Sequence, residues 1–215
     1  MNNDIKGSLQ NFYESHHEQG KRLGRSMYQQ TRAKLFKQWV GTGHQVLDLG
    51  GRDGTLTQYF AEGNSVTIGD VDSNALAIAQ KEHGFGIQLV NLNEYFPFDD
   101  DSFDVVVMAE VLEHLPYPEI TLSEIRRVLK KGGTFIGNVP LAYHLKDIWK
   151  VVRGKKLTIS SDPTHLQFMN YYDLKELLLE FFTIEEIEVI HGGKKARLFP
   201  RLFARNVAFK CKNPG

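Results

Sequence analysis

The chain is poor in cysteine: Cys211 is the only one in 215 residues, so no intrachain disulfide can form. It lacks any apolar run near the roughly 18 residues that a membrane span needs. Its polar start, Met1-Asn2-Asn3-Asp4, lacks the apolar core of a signal peptide. Neither sign of charge is in excess, with 26 Lys and Arg against 26 Asp and Glu, which excludes the global basic field that drives nucleic-acid binding. There is no repeat or low-complexity tract. These absences predict a cytoplasmic protein with no membrane span and no nucleic-acid partner. The length suits one domain, 1–215, with a proper core.

Also missing is any G-x-G-x-x-G spacing, the turn that seats a pyrophosphate on a helix N-terminus. What is present is Val46-Leu47-Asp48-Leu49-Gly50-Gly51-Arg52-Asp53-Gly54. An apolar run closes on an acid and breaks into a glycine-rich turn, which reads as a buried parallel strand meeting a ligand at the carboxyl edge of a sheet. Asp48, two residues ahead of the first glycine, would repel a phosphate but suits an ammonium group. Val66-Thr67-Ile68-Gly69-Asp70 is a second strand ending in an acid, placed for ribose hydroxyls. A nucleoside joined to a cationic amino acid, as in S-adenosylmethionine, satisfies both acids.

Strand and helix alternate from Gln45 onward, the pattern of a parallel sheet covered on both faces. The spacing predicts strands over Gln45–Leu49, Val66–Asp70, Gly86–Val90, Asp104–Ala109 and Thr134–Val139, with helices over Thr55–Ala61, Ser73–Glu82 and Glu119–Leu129. Residues 1–40 precede the first strand as a helical cap, and Tyr13 and Tyr28 in it are candidates for packing or ligand contact. Past Pro140 the rhythm breaks; 140–170 reads as an insertion covering the site, with a helix over Tyr143–Arg153. A helix over Tyr172–Phe181 and strands over Thr183–Ile190 and Phe203–Lys210 close the chain.

Five stretches in this order resemble the class I S-adenosylmethionine-dependent methyltransferases of the small-molecule kind. They are Val46–Gly54, Asp70-Val71-Asp72, Asn91-Leu92-Asn93-Glu94-Tyr95-Phe96-Pro97-Phe98, Glu110-Val111-Leu112-Glu113-His114 and Leu129-Lys130-Lys131-Gly132-Gly133. The resemblance implies a Rossmann-like α/β fold, a mostly parallel seven-stranded sheet with an antiparallel last strand and helices on both faces. It implies S-adenosylmethionine as cofactor, held by Asp48, Gly50, Gly51, Arg52, Gly54, Asp70, Val71, Asn91, Leu92 and Glu110. Two positions depart from the family: Arg52 replaces the turn's middle glycine and Asn91 replaces an aspartate.

A hydroxyl acceptor needs a base near neutral pH, which histidine supplies. His114, just past the fourth strand, is the candidate base, with His165 or His144 lining the insertion. Glu110, Glu113, His114 and His165 also resemble the divalent-metal site of ubiquinone-biosynthesis O-methyltransferases and small-RNA 2′-O-methyltransferases, so a metal stands beside the metal-free reading. The fourth strand does not end in the N-P-P-Y type of motif used for amino groups of bases or glutamine. Lys146, Lys150, Arg153, Lys155, Lys156, Lys194, Lys195 and Arg197 near the same edge favour a small anionic acceptor, methylated first on a hydroxyl of a sugar, lipid or other metabolite and second on a nitrogen. The alternatives are a non-catalytic S-adenosylmethionine-binding protein and an NAD-dependent oxidoreductase.

Overall fold

The structure, a computed structural model, describes residues 10–15, 23–191 and 193–215. Parts 1–9 and 16–22 of the expected N-terminal cap lie outside the described residues. The described elements are a helical segment over 10–15, then α1 (Gln29–Val40), β1 (Gln45–Leu49), β2 (Ser65–Asp70), α2 (Ser73–His83), β3 (Gly86–Leu89), β4 (Phe103–Ala109), α3 (Pro118–Val128), β5 (Leu129–Pro140), α4 (Leu145–Val152), α5 (Tyr171–Phe181), β6 (Thr183–His191), α6 (Gly193–Leu198), α7 (Pro200–Phe203) and β7 (Asn206–Lys212). The seven strands form one sheet in the order β3-β2-β1-β4-β5-β7-β6. β1 to β5 pair in parallel, and β7 runs antiparallel to both β5 and β6.

The apolar run of β4 is explained by burial on both faces. Val105 and Val107 join a core with Phe36 and Trp39 of α1 and Leu76 of α2, whereas Val106 and Met108 join one with Leu122 and Ile125 of α3 and Leu174 and Leu178 of α5. Local chemistry starts and stops the helices. The Asp72 carboxylate accepts from the amides of Asn74 and Ala75 to open α2, and Gly84, at φ 72°, closes it. Asn170 and Asp173 form a reciprocal capping box on α5.

Three expectations need correction. The helix over Thr55–Ala61 is only a 3₁₀ turn, Thr57–Tyr59, because so short a segment with two β-branched residues forms no stable α-helical nucleus. The fifth strand, expected over Thr134–Val139, begins five residues earlier. β5 already starts at Leu129, paired with Phe103, and absorbs the irregularity as a register shift. The last strand begins at Asn206, since Pro200 starts the short helix α7, which contains Phe203.

Candidate active site

The chain winds outward from β1 to β3, then returns to place β4 on the other side of β1. This topological switch point, at the carboxyl ends of β1 and β4, is where open α/β sheets bind ligands. A cavity of about 670 Å³ lies there. Gly50 makes the turn after β1 at φ 74°, and a Cβ on it would meet Val111 Cγ2 at 2.5 Å. Arg52 takes the same left-handed region at φ 51°, which costs a non-glycine residue about 1 kcal/mol. Its amide donates to Asp70 Oδ2 at 3.0 Å and its guanidinium to the Arg25 carbonyl at 2.7 Å. Asp70 Oδ1 accepts from the Asp72 amide at 2.9 Å, so the strand-end acid also fixes the glycine turn.

Asp48 is buried and accepts from Thr57 Oγ1 at 2.6 Å. Burial pushes its carboxyl up to about 7, against the Thr57 bond that lowers it; Asp70 raises it further, and Arg32 and Arg52 draw it down. Arg32 comes from α1 and is itself buried, which lowers its pKa. Its Nη1 donates to Asn138 Oδ1 at 3.1 Å and its Nη2 to Ser26 Oγ at 2.6 Å. Among the described residues Nε has no hydrogen-bond partner. Asn138 and Asn206 each donate a side-chain N–H to Glu110 Oε1 at 2.5 Å, and Glu110 sits at φ 59°. Asn91 donates to Glu94 Oε1 at 3.0 Å, and Thr121 Oγ1 holds the Leu92 carbonyl at 2.7 Å.

The hydrogen bonds fix how His114 and His165 face the cavity. Thr164 Oγ1 donates its single proton to Asp162 Oδ1 at 2.6 Å. It must therefore accept from His114 Nδ1, 2.9 Å away, and the Thr164 carbonyl lies 3.1 Å from the same nitrogen. His165 Nδ1 meets the Ile159 carbonyl at 2.8 Å and has to carry the proton there. In the neutral rings both Nε2 atoms then hold the lone pair. The ring centroids are 4.7 Å apart.

Glu113 lies beside them, 0% exposed, with Oε1 3.9 Å from His114 Nε2 and neither oxygen hydrogen-bonded among the described residues. Burial, then the nearby Glu110, raise its pKa well above the usual carboxylate range. One ligand atom each from Glu113, His114 and His165 falls within 4.8 Å of the others. Two backbone-oriented imidazoles and an unsatisfied carboxylate fit a divalent transition ion better than a hard, all-oxygen ion such as Mg²⁺. Glu110, expected as a fourth ligand, is not in this group; it is held by Asn138 and Asn206.

Of the expected cofactor residues, Asp48, Gly50, Gly51, Arg52, Asp70, Val71, Asn91, Leu92 and Glu110 line the cavity, as do His114, His165, Tyr13 and Tyr28. Gly54 lies behind the wall, where a Cβ would meet the Phe85 ring at 2.9 Å. His144 is not a lining residue either: its Nδ1 accepts from the Lys146 amide and caps α4. The expected lysines are not in the lining, whose cations are Arg25, Arg32, Arg52 and Arg205. Arg32 was the residue sequence reading missed. Its one visible signal is its place on the apolar stripe of α1 with Ala33, Phe36 and Val40.

A seven-stranded sheet of this order, with a glycine turn and two strand-end acids at its switch point, defines a nucleoside-binding fold of the class I methyltransferase type. Residues 47–137 match the family described as "Methyltransferase domain", and this match together with the fold supports a class I S-adenosylmethionine-dependent methyltransferase. It is similar to ubiquinone/menaquinone biosynthesis C-methyltransferases, 35% identical to that of Pseudoalteromonas translucida over 49% of this chain and 46% of the relative. To that of Hahella chejuensis it is 33% identical over the same shares. The chain thus spans about half the length of these relatives. Among solved structures, the Haloferax volcanii protein in complex with the Trm112 methyltransferase activator superposes with TM-score 0.70 at 20% identity, over 94% of this chain and 98% of that one. The [4+2]-cyclase SpnF superposes with TM-score 0.64 at 19% identity, over 85% and 80%. The fold therefore does not by itself name the reaction.

Proposed function

We propose that this chain transfers the methyl group of S-adenosylmethionine to an acceptor hydroxyl, with Asp48 and Arg32 holding the ammonium and carboxylate of the amino-acid end and Asp70 the ribose. The cofactor supplies an electrophilic methyl on a cationic sulfur, so the protein's work is alignment and proton removal. Methyl transfer makes the acceptor oxygen–carbon bond and returns the breaking carbon–sulfur pair to sulfur; the hydroxyl proton goes to His114 Nε2. His165 and the residues around 158–162 supply the acceptor wall. A divalent ion held by Glu113, His114 and His165 would take up the His114 Nε2 lone pair, so His114 would then serve as ligand in place of base, and the ion would supply a positive charge that lowers the pKa of an acceptor hydroxyl.

The single observation supporting this reading is the Thr164-fixed tautomer of His114, which turns a basic nitrogen into the cavity. A panel of catechols and sugar nucleotides, scored by release of S-adenosylhomocysteine, tests it. His114→Ala should lower the rate about 10²- to 10⁴-fold with cofactor affinity unchanged; full activity in that variant ends the proposal. Addition of Mn²⁺ to chelator-treated protein should raise the melting temperature if the metal reading holds. A second reading, transfer to carbon, is favoured by the C-methyltransferase relatives. The methyl carbon chemical shift of the product separates the two.

A further inference from the structure

We propose that the carboxyl edge of this molecule docks on the surface of an anionic phospholipid bilayer, through the outer face of α4 and the neighbouring α6–α7 corner. α4 is inverted for a helix packed on a globular core. Its one buried side chain is Asp147, which pairs with Arg205 at 3.0 Å and Lys150 at 3.4 Å and accepts a hydrogen bond from Thr158. Leu145, Ile148, Trp149 and Val152, at the i, i+3, i+4, i+7 spacing of one helix face, are exposed, Trp149 by 59% and Val152 by 76%. The helix is thus keyed to the body by a polar contact and shows its apolar stripe to the outside.

The β6–β7 connection lies at the same sheet edge, because β6 ends and β7 begins beside the carboxyl end of β5. It joins α4 through the edge contact of Phe203 with His144 and through the Arg205–Asp147 pair. Leu198 is 74% exposed there, next to exposed Phe199.

Charge selects the occupant. Residues 143–156 and 193–205 contain Asp147 as their single acid, and that acid is turned inward. Lys146, Arg153, Lys155, Lys156, Lys194 and Arg197 around the stripe are all exposed, in a chain whose formal net charge is zero. Apolar side chains at the tip, a tryptophan with the Arg153 guanidinium over its ring and a cationic border are the pattern of a helix lying in a lipid interface. A protein-binding groove would instead be concave and mixed in charge. No described helix is long and apolar enough to cross a membrane, so the contact is peripheral. Since Asp147, Thr158 and Arg205 also line the cavity, the cavity sits beside the docked face.

Vesicle sedimentation with the intact chain tests this. The protein should pellet with vesicles of phosphatidylcholine and phosphatidylglycerol at low salt, at least tenfold more than with phosphatidylcholine alone, and tryptophan emission should shift to the blue. Trp39 is already buried, so that shift reports Trp149. Substituting Trp149→Asp with Val152→Asp, or separately Leu198→Asp with Phe199→Asp, should remove at least nine-tenths of the binding with the melting temperature and the cofactor affinity unchanged. Lys155→Glu with Lys156→Glu should abolish the preference for anionic lipid. Equal pelleting with both vesicle types, no pelleting, or undiminished pelleting of both aspartate variants overturns the proposal. So does a wild-type dimer on a sizing column that Trp149→Asp converts to monomer, which would assign the face to a second copy of the chain.

Discussion

At the scale of single residues, Asp48 carries the clearest consequence. Burial raises its carboxyl from 3.8 to about 7, so between those values the folded chain holds a proton that the unfolded chain has lost. Stability from this group is greatest below the lower value and falls as pH rises to the upper one, by on the order of 4 kcal/mol at most. Asp48→Asn cannot ionise and should be more stable than wild type above about pH 7 by on the order of 2 kcal/mol, as read from denaturant midpoints at several pH values. Because a cationic ligand prefers the ionised acid, wild-type affinity for the cofactor should climb with pH to a plateau near that same value, and the asparagine variant should lose the climb. Arg52→Gly should relieve the left-handed strain at φ 51° and shift stability by about 1 kcal/mol or less in the favourable direction. The two strand-end acids were legible because strand, acid and turn are consecutive in sequence. Arg32 was not, since its hydrogen-bond partner Asn138 lies on β5, 106 residues along the chain. The orientation of His114 was equally hidden, depending on Thr164 fifty residues away.

At the scale of elements, α4 shows what periodicity tells and what it omits. The stripe of Leu145, Ile148, Trp149 and Val152 announced an amphipathic helix, but which side would face out was decided by Asp147 and Arg205, 58 residues apart. Removing that key with Asp147→Ala should raise amide hydrogen exchange across residues 145–152 at least tenfold while exchange in β4 and β5 stays slow, because local opening of α4 leaves the sheet intact. If exchange rises throughout, the contact supports the whole fold and not this helix. The helix expected at Thr55–Ala61 fails for a related reason. Burial of Leu56, Thr57 and Phe60 fixes the segment as a single tight turn, and no local pattern reports how much of it the core accepts.

At the scale of the whole molecule, the parallel half of the sheet was legible as strands alternating with helices, and the antiparallel β7 followed from the family resemblance rather than from its own composition. The proposed acceptor side was the least legible, because much of its cavity lining comes from 140–165 and Arg205, beyond the residues 47–137 that match the methyltransferase domain. The central claim is that one cavity at the β1–β4 switch point holds S-adenosylmethionine between Asp48, Arg32 and Asp70. Isothermal titration of S-adenosylhomocysteine into the intact chain at neutral pH tests it most directly. A saturable one-site heat that Asp70→Ala weakens at least tenfold is the predicted result. No heat at millimolar ligand, or binding indifferent to Asp70→Ala, would contradict it.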